Sequence, residues 1–196
     1  MSVNSSDGIS ETINSLKLRH KAWLFAANAH EATGQLYPGS NLSYLTHVAE
    51  VVMTLLPALE ADSSLNADLA IQCAILHDTV EDTHITLEDL EKEFGIQVRQ
   101  GVSALTKNKN LEKRPAMEDS IKRIKKEPKE IAVVKLADRI SNLGPQLPLN
   151  YWSLDKCRRY AEEGELILQS LGEASHILSE VLADRISIWK KSTEVL

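Results

Sequence analysis

Apolar residues recur along this chain at intervals of three and four, the spacing that gathers them on one face of a helix. In residues 10–33, Ile13, Leu16, Trp23, Ala26, Ala27 and His30 fall at that spacing, and Gly34 follows as a helix-ending residue. The next stretch, Gly-Gln-Leu-Tyr-Pro-Gly-Ser-Asn-Leu from Gly34 to Leu42, has loop chemistry. A second helix is expected from Ser43 to about Glu60, with Tyr44, His47, Val48, Val51 and Leu55 on one face. After a polar turn at 62–66, a third helix from Ala67 to Asp78 is apolar on nearly every side and belongs at the centre of the fold. Thr86 can cap a short helix ending at Phe94-Gly95. Residues 96–106 predict another helix, followed by a mobile basic loop and a helix near 116–126. Pro128 suits the first turn of a helix over 130–143, which closes at Gly144-Pro145. Pro145 and Pro148 exclude helix from the loop beyond. Ser153 caps a helix to about Leu171, and Gly172 separates it from a last amphipathic helix over 173–192.

No strand-like alternation, internal repeat or low-complexity tract interrupts this pattern. It predicts an all-α single domain, a bundle of about 8–10 helices over residues 9–196 with a flexible tail at 1–8. With 196 residues, 43% of them hydrophobic, the chain can bury a substantial core. Only 8 Gly, 6 Pro and 5% aromatic residues argue against a β-sandwich or barrel. Cys73 and Cys157 lie inside helical segments without paired spacing, so they read as reduced core residues. Residues 1–8 lack the apolar run of a signal peptide. No apolar stretch approaches the roughly 20 residues that span a bilayer. The expectation is a cytoplasmic protein without a membrane partner.

The net charge of −6 argues against nucleic acid as a partner. The charge is uneven, however: between Lys107 and Lys129 nine basic residues face four acidic ones. Such a strip can focus an anionic ligand, or can be an ordinary solvated helix face.

Candidate chemistry is concentrated at Ile75-Leu-His-Asp-Thr-Val-Glu-Asp-Thr83. His77 and Asp78 offer an imidazole and a carboxylate, a ligand set suited to Mn, Fe, Zn or Mg. Glu81 and Asp82 add two carboxylates about one turn later. A solvated helix terminus would also hold such residues, so distant ligands decide the matter. His47 lies on the apolar face of its helix, where a buried neutral histidine is the simpler reading. Asp138 lies on the Ile131–Val134–Asp138 stripe, where an unpaired carboxylate is costly to bury. A metal removes that difficulty. His47, His77, Asp78 and Asp138 then form two imidazoles and two carboxylates on three central helices, with coordination positions open for water and substrate.

His…His-Asp…Asp in an all-helical chain resembles the HD-domain phosphohydrolases, and more specifically the hydrolase domain of the RelA/SpoT alarmone family. The resemblance rests on Ala29-His30 with Gly34-Gln35, Tyr44-Leu-Thr-His47, Leu76-His-Asp-Thr-Val-Glu-Asp-Thr83, Gly101-Val102 with Leu105-Thr-Lys107, and Val134-Lys-Leu-Ala-Asp-Arg139 with Asn142-Leu143. It covers about residues 15–170 and leaves no room for a synthetase domain, as in a stand-alone small alarmone hydrolase. It implies Mn²⁺, or another divalent metal, on His47, His77, Asp78 and Asp138, with Glu81 and Asp82 activating and orienting the attacking water. The implied enzyme is a 3′-pyrophosphohydrolase of the phosphoric diester hydrolase class. It attacks the proximal phosphorus of a purine nucleotide 3′-diphosphate and leaves pyrophosphate and a nucleoside 5′-phosphate. Lys107, Lys135, Arg139 and Asn142 are candidates for phosphate or ribose contacts, and Ser103 and Tyr160 for the pocket wall.

One stretch departs from that family. Where it carries an Arg-Lys pair that helps recognise guanine, residues 36–43 read Leu-Tyr-Pro-Gly-Ser-Asn-Leu-Ser, with no basic residue. Tyr37 could stack on the base instead, with Ser40 beside it, and an adenosine alarmone, (p)ppApp, becomes a candidate beside (p)ppGpp. A general HD-type nucleotidase or nucleotide phosphodiesterase, and a catalytically silent nucleotide sensor, are the alternative readings. The last helix can pack on its own domain or on a second copy in a homo-oligomer.

Overall fold

The structure is a computed structural model that describes residues 5–145 and 147–195. The chain runs through α1 (Ser5–Thr33), α2 (Leu45–Ala61), α3 (Ala67–Leu76), the single turn α4 (Thr79–Asp82), α5 (Leu87–Phe94) and α6 (Ile96–Leu105). It continues through α7 (Lys113–Ile124), α8 (Lys129–Asn142), α9 (Leu154–Leu171), a 3-10 turn (Gly172–Ala174) and α10 (His176–Glu194). The expected all-α bundle is present, with an isolated bridge between Leu36 and Ser43 as the one strand-like feature among the described residues.

Sequence alone explains which helices lie inside. In α3 every residue from Leu69 to Leu76 is buried, and in α8 every residue from Glu130 to Ile140. A helix apolar on nearly every side, as α3 is, must be surrounded, and α8 is buried together with its charged Glu130, Lys135, Asp138 and Arg139. α1 and α2 pack on α3, and α2, α9 and α10 pack on α8. Between α6 and the centre the fit is close. A Cβ on Gly101 would stand 2.5 Å from Ile131 Cδ1 and 2.8 Å from Cys73 Sγ, so only glycine lets these helices approach so far. Cys73 and Cys157 are both free and buried, as expected for core thiols.

The last helix packs on its own domain through Leu178, Leu182, Ile186 and Trp189. The indole of Trp189 donates to the Gly144 carbonyl (2.8 Å), closing the end of α8. Among the described residues no helix is long and apolar enough to cross a membrane.

Several boundaries differ from the expectation for local reasons. α1 begins at Ser5, so it takes in four residues assigned to the tail, and residues 1–4 lie outside the described residues. α7 starts at Lys113 because Pro115 fits its first turn, where backbone N–H groups lack helical partners anyway. α10 starts later than position 173, since Ser175 caps it by accepting from the Leu178 N–H.

The third helix stops at Leu76 instead of running to Asp78. Nδ1 of His77 takes the Ala74 carbonyl (2.8 Å), and the Thr79 hydroxyl takes that of Leu76 (2.7 Å). Those carbonyls would otherwise accept the next helical bonds, so side chains break the ladder here. Asp78 rests at φ −99°, ψ −3°, in the bridge region where active-site residues are frequent.

Leu136 is fully buried in α8, two residues from Asp138. Leu136→Ala should lower the unfolding free energy by about 2–5 kcal/mol in chemical denaturation. Met53→Ala, at a 69% exposed position, should change it by less than about 0.5 kcal/mol.

Candidate metal centre

The helix break at Leu76 aims His77 and Asp78 at α2 and α8. His47 arrives from the buried face of α2 and Asp138 from the middle of α8. Ligand atoms of His47, His77 and Asp78 all lie within 4.8 Å of one another, a spacing that could hold a metal ion. Asp138 joins them: its Oδ1 is 3.5 Å from His47 Nε2 and 3.8 Å from His77 Nε2. The four residues singled out by sequence are therefore one cluster, drawn from positions 91 apart at the extremes.

Their hydrogen bonds show that the cluster fits a cation. His77 Nδ1 must be the protonated nitrogen, because the Ala74 carbonyl it meets can only accept. Its Nε2 is buried and 3.0 Å from Asp78 Oδ2, yet off the line of a hydrogen bond, so it has no partner. That nitrogen is turned toward two carboxylates, Asp78 and Asp138. Burial disfavours charge on His77, but Asp78 and then Asp138 outweigh it and raise the pKa to about 9. Burial would likewise raise Asp78 and Asp138. His77 holds the first below the usual carboxylate range, and Lys135, ahead of His47 and His77, holds the second well below it. The carboxylates demand positive charge between them; a second proton on His77 can supply it, and a divalent ion bound at Nε2 would displace that proton and supply it instead.

Around the cluster, neighbouring side chains fix the acids. The Tyr44 hydroxyl donates to Asp78 Oδ2 (2.5 Å). Lys135 Nζ meets Asp138 Oδ2 at 2.9 Å, and Asn142 Nδ2 donates to Asp138 Oδ1. Asp82 receives Gln35 Nε2 (3.0 Å), and Gln35 in turn binds His30 on α1 (3.1 Å). Glu81 Oε2 accepts the Lys107 backbone N–H (3.1 Å). That contact depends on α7, where Arg123 pins the end of α6 by donating to the Ser103 and Thr106 carbonyls.

Two connected clefts open onto these groups. A polar one of about 150 Å³ is lined by His77, Asp78, Asp138, Glu81, Asp82 and Lys107, and also by Lys135, Arg139 and Tyr160. An aromatic one of about 90 Å³ lies between Tyr37, Tyr151, Trp152 and Trp189 and includes His47 and Ser141. Tyr44 and Asn142 line both. The loop at 36–43 is pressed against the loop before α9: a Cβ on Gly39 would fall 2.1 Å from the Tyr151 ring.

Most expected substrate contacts thus reach the clefts, but several are already engaged. Lys135 serves Asp138, and Arg139 binds Glu163 Oε2 (2.8 Å) and lies over the Tyr160 ring. Two placements differ from expectation. Ser40 lines neither cleft, because its hydroxyl is used inside the loop, donating to the Tyr37 carbonyl and accepting from the Leu42 N–H, both at 3.1 Å. Ser103 contributes its carbonyl to Arg123 and lines neither cleft. The basic strip is likewise divided: Lys107 reaches the polar cleft, while Lys129 pairs with Asp62 and Arg114 with Glu118.

Sequence reasoning missed Glu50 and Ser141. His47 Nδ1 meets Ser141 Oγ (3.1 Å), Ser141 donates to Glu50 Oε2 (2.9 Å), and Tyr37 donates to the same oxygen (3.1 Å). A faint signal existed. Each lies three residues after a candidate ligand, Glu50 after His47 and Ser141 after Asp138, where helical geometry returns to the same face.

Comparison with known proteins agrees with this geometry. The HD domain family matches residues 22–177. The chain is similar to guanosine-3′,5′-bis(diphosphate) 3′-pyrophosphohydrolase MESH1 of Mus musculus, 29% identical over 160 residues that span 81% of this chain and 87% of that protein. The MESH1 protein of Xenopus tropicalis is 30% identical over 159 residues, 79% of this chain and 84% of the relative. Among solved structures, a metazoan ortholog of SpoT described as hydrolysing ppGpp superposes with a TM-score of 0.70 at 25% identity, covering 87% of this chain and 94% of the other. The chain belongs to the HD domain family, in the branch of the RelA/SpoT-type hydrolase domains.

Proposed function

We propose that the chain is a metal-dependent pyrophosphohydrolase that removes the 3′-diphosphate of a purine alarmone, (p)ppGpp or (p)ppApp, and releases pyrophosphate. The observation that carries this reading is the buried Nε2 of His77, without a hydrogen-bond partner, facing the buried Asp138 and the partly buried Asp78 in a cleft walled by lysine and arginine. The names of the similar MESH1 proteins and of the SpoT ortholog support the same reaction.

His47, His77, Asp78 and Asp138 are the proposed ligands, and their nitrogen and oxygen donors suit Mn²⁺ among divalent ions. When bound, such an ion acidifies water and offsets phosphate charge. The remaining steps belong to this chain. Glu81 and Asp82 are each held through one carboxylate oxygen, Oε2 by Lys107 N–H and Oδ2 by Gln35. Their other oxygens are left to orient the attacking water and take its proton. The water oxygen bonds to the proximal phosphorus as the bond to the ribose 3′ oxygen breaks. Lys107 and Arg139 lie where they can meet the diphosphate oxygens. Lys135 and Asn142 reach the same cleft but first serve to orient Asp138.

The aromatic cleft suits the base. Among the described residues no lysine or arginine lines it, although Lys156 Nζ lies 3.7 Å over the Trp152 ring, so the rings themselves offer the stacking surface for a base. Stacking alone does not distinguish adenine from guanine, so the adenosine alarmone is accepted beside the guanosine one.

Asp78→Ala should abolish stoichiometric Mn²⁺ binding in calorimetry, whereas Glu81→Ala should retain the metal and lose about 10²–10⁴-fold in kcat. Full activity in either variant would contradict the assignment. In parallel kinetics, ppApp should be turned over with kcat/KM within about tenfold of that for ppGpp, since about 1.4 kcal/mol or less then separates the bases. A larger guanine preference would remove the adenine part. Release of orthophosphate in place of pyrophosphate would favour the general nucleotidase.

A further inference from the structure

The two candidate histidine ligands reach the same tautomer by different means. For His77 the partner of Nδ1 is a backbone carbonyl, which no substitution changes. For His47 the partner is a hydroxyl, Ser141 Oγ, which could either accept or donate. What decides the direction is Glu50. Its carboxylate can only accept, so the single Ser141 proton is committed to it at 2.9 Å. Ser141 must then accept from His47 Nδ1–H, and the His47 lone pair is left on Nε2. That nitrogen is the one facing Asp138 at 3.5 Å and Asp78 at 3.7 Å.

The same carboxylate has a second client. The Tyr37 hydroxyl donates to Glu50 at 3.1 and 3.3 Å. Burial, and after it the charge of Glu50, pushes this phenol up to about 12, so it stays a donor near neutral pH. Tyr37 belongs to the loop at 36–43, which holds no basic residue, and its ring lines the aromatic cleft beside His47. The loop is braced from the other side by the Gly39–Tyr151 approach. One carboxylate, on the turn of α2 after His47, thus holds both a metal ligand and the wall of the neighbouring cleft.

We propose that Glu50 is a positioning residue: through Ser141 it sets the tautomer of His47 for metal binding, and through Tyr37 it ties the aromatic cleft to that ligand. The proposal rests on the metal-centre reading above, and its test is arranged so that the two can fail separately. Metal-free protein is titrated with Mn²⁺, and the melting temperature of each metal-free variant is recorded. Ser141→Ala and Glu50→Leu should each weaken Mn²⁺ binding by about 10–100-fold, the usual cost of losing a partner behind a histidine ligand. Glu50→Gln should weaken it by less, because its amide oxygen can still accept from both hydroxyls. A role in packing alone would lower the melting temperature and leave Mn²⁺ affinity at the wild-type value, which overturns the proposal. Should Glu50→Leu fail to fold, Ser141→Ala, which removes a single oxygen, decides the question. If the wild-type protein takes up no Mn²⁺, the metal reading falls and the proposal with it. If the wild type binds and both variants bind equally well, only the proposal falls. Tyr37→Phe keeps the ring and frees Glu50 from the loop. At saturating Mn²⁺ it should raise KM for ppGpp or ppApp by about 2–10-fold, the worth of one hydrogen bond to a charged group, with a smaller change in kcat. An unchanged KM for both would overturn the half of the proposal that concerns the loop.

Discussion

Asp138 is the constraint around which this molecule is arranged. It sits in the middle of a helix whose neighbours are nearly all buried, and it is itself only 6% exposed. An isolated carboxylate at such a place would neutralise itself or unfold the protein, because desolvation of a charge is so costly. The chain surrounds it instead. Lys135 comes from one turn earlier, Asn142 from one turn later, His47 from α2 and His77 from the end of α3. Meeting that demand draws α2, α3 and α8 to one point, and the remaining helices cover what is left.

A buried ion pair is weak evidence for stability, since its desolvation can cancel its attraction. Lys135 is therefore better understood as a holder of charge than as a stabiliser. It compensates one oxygen of Asp138 and leaves the other directed at the two imidazoles. Asp78 is managed differently: the Tyr44 hydroxyl donates to Oδ2, the same oxygen that faces His77 and His47. Strong pKa perturbation with a specific charge partner inside a cleft is the mark of a working site. Here the perturbations run in opposite directions on adjacent residues, His77 up and Asp78 down, as expected of two groups that both favour positive charge between them.

Much of this was legible in the sequence, for physical reasons that can be named. Helical periodicity located the elements because burial of one face leaves a three-to-four spacing. Caps such as Thr86 and Ser153 marked starts because their hydroxyls accept backbone N–H groups, as they do here. The four candidate ligands were legible because an ionisable residue on an apolar face must find a compensating charge wherever that face is buried. Supporting groups were not. Glu50 and Ser141 are half-buried polar residues of ordinary type, and nothing in a linear reading joins them across 91 positions. Ser40 misled for the converse reason: a serine in a loop near a cleft resembles a contact until its hydroxyl is seen closing its own turn. The break at His77 was hidden as well, because it arises from side chains capturing carbonyls and not from a glycine or proline.

The two ways of orienting a histidine carry different consequences for how the site can change. A backbone partner such as the Ala74 carbonyl is indifferent to sequence and leaves His77 fixed for as long as the helix end persists. A side-chain relay is open to its surroundings. His47 depends on Ser141, Ser141 on Glu50, and Glu50 shares its oxygen with Tyr37 in the loop at 36–43. Tyr37 in that loop is therefore linked to His47 through three hydrogen bonds. An arginine-lysine pair in place of residues such as Tyr37 would bring its own claim on Glu50, as an ion pair in place of a hydroxyl bond. On the proposed reading the acid on α2 and the loop beside the aromatic cleft act together, because Tyr37 and Ser141 both donate to Glu50.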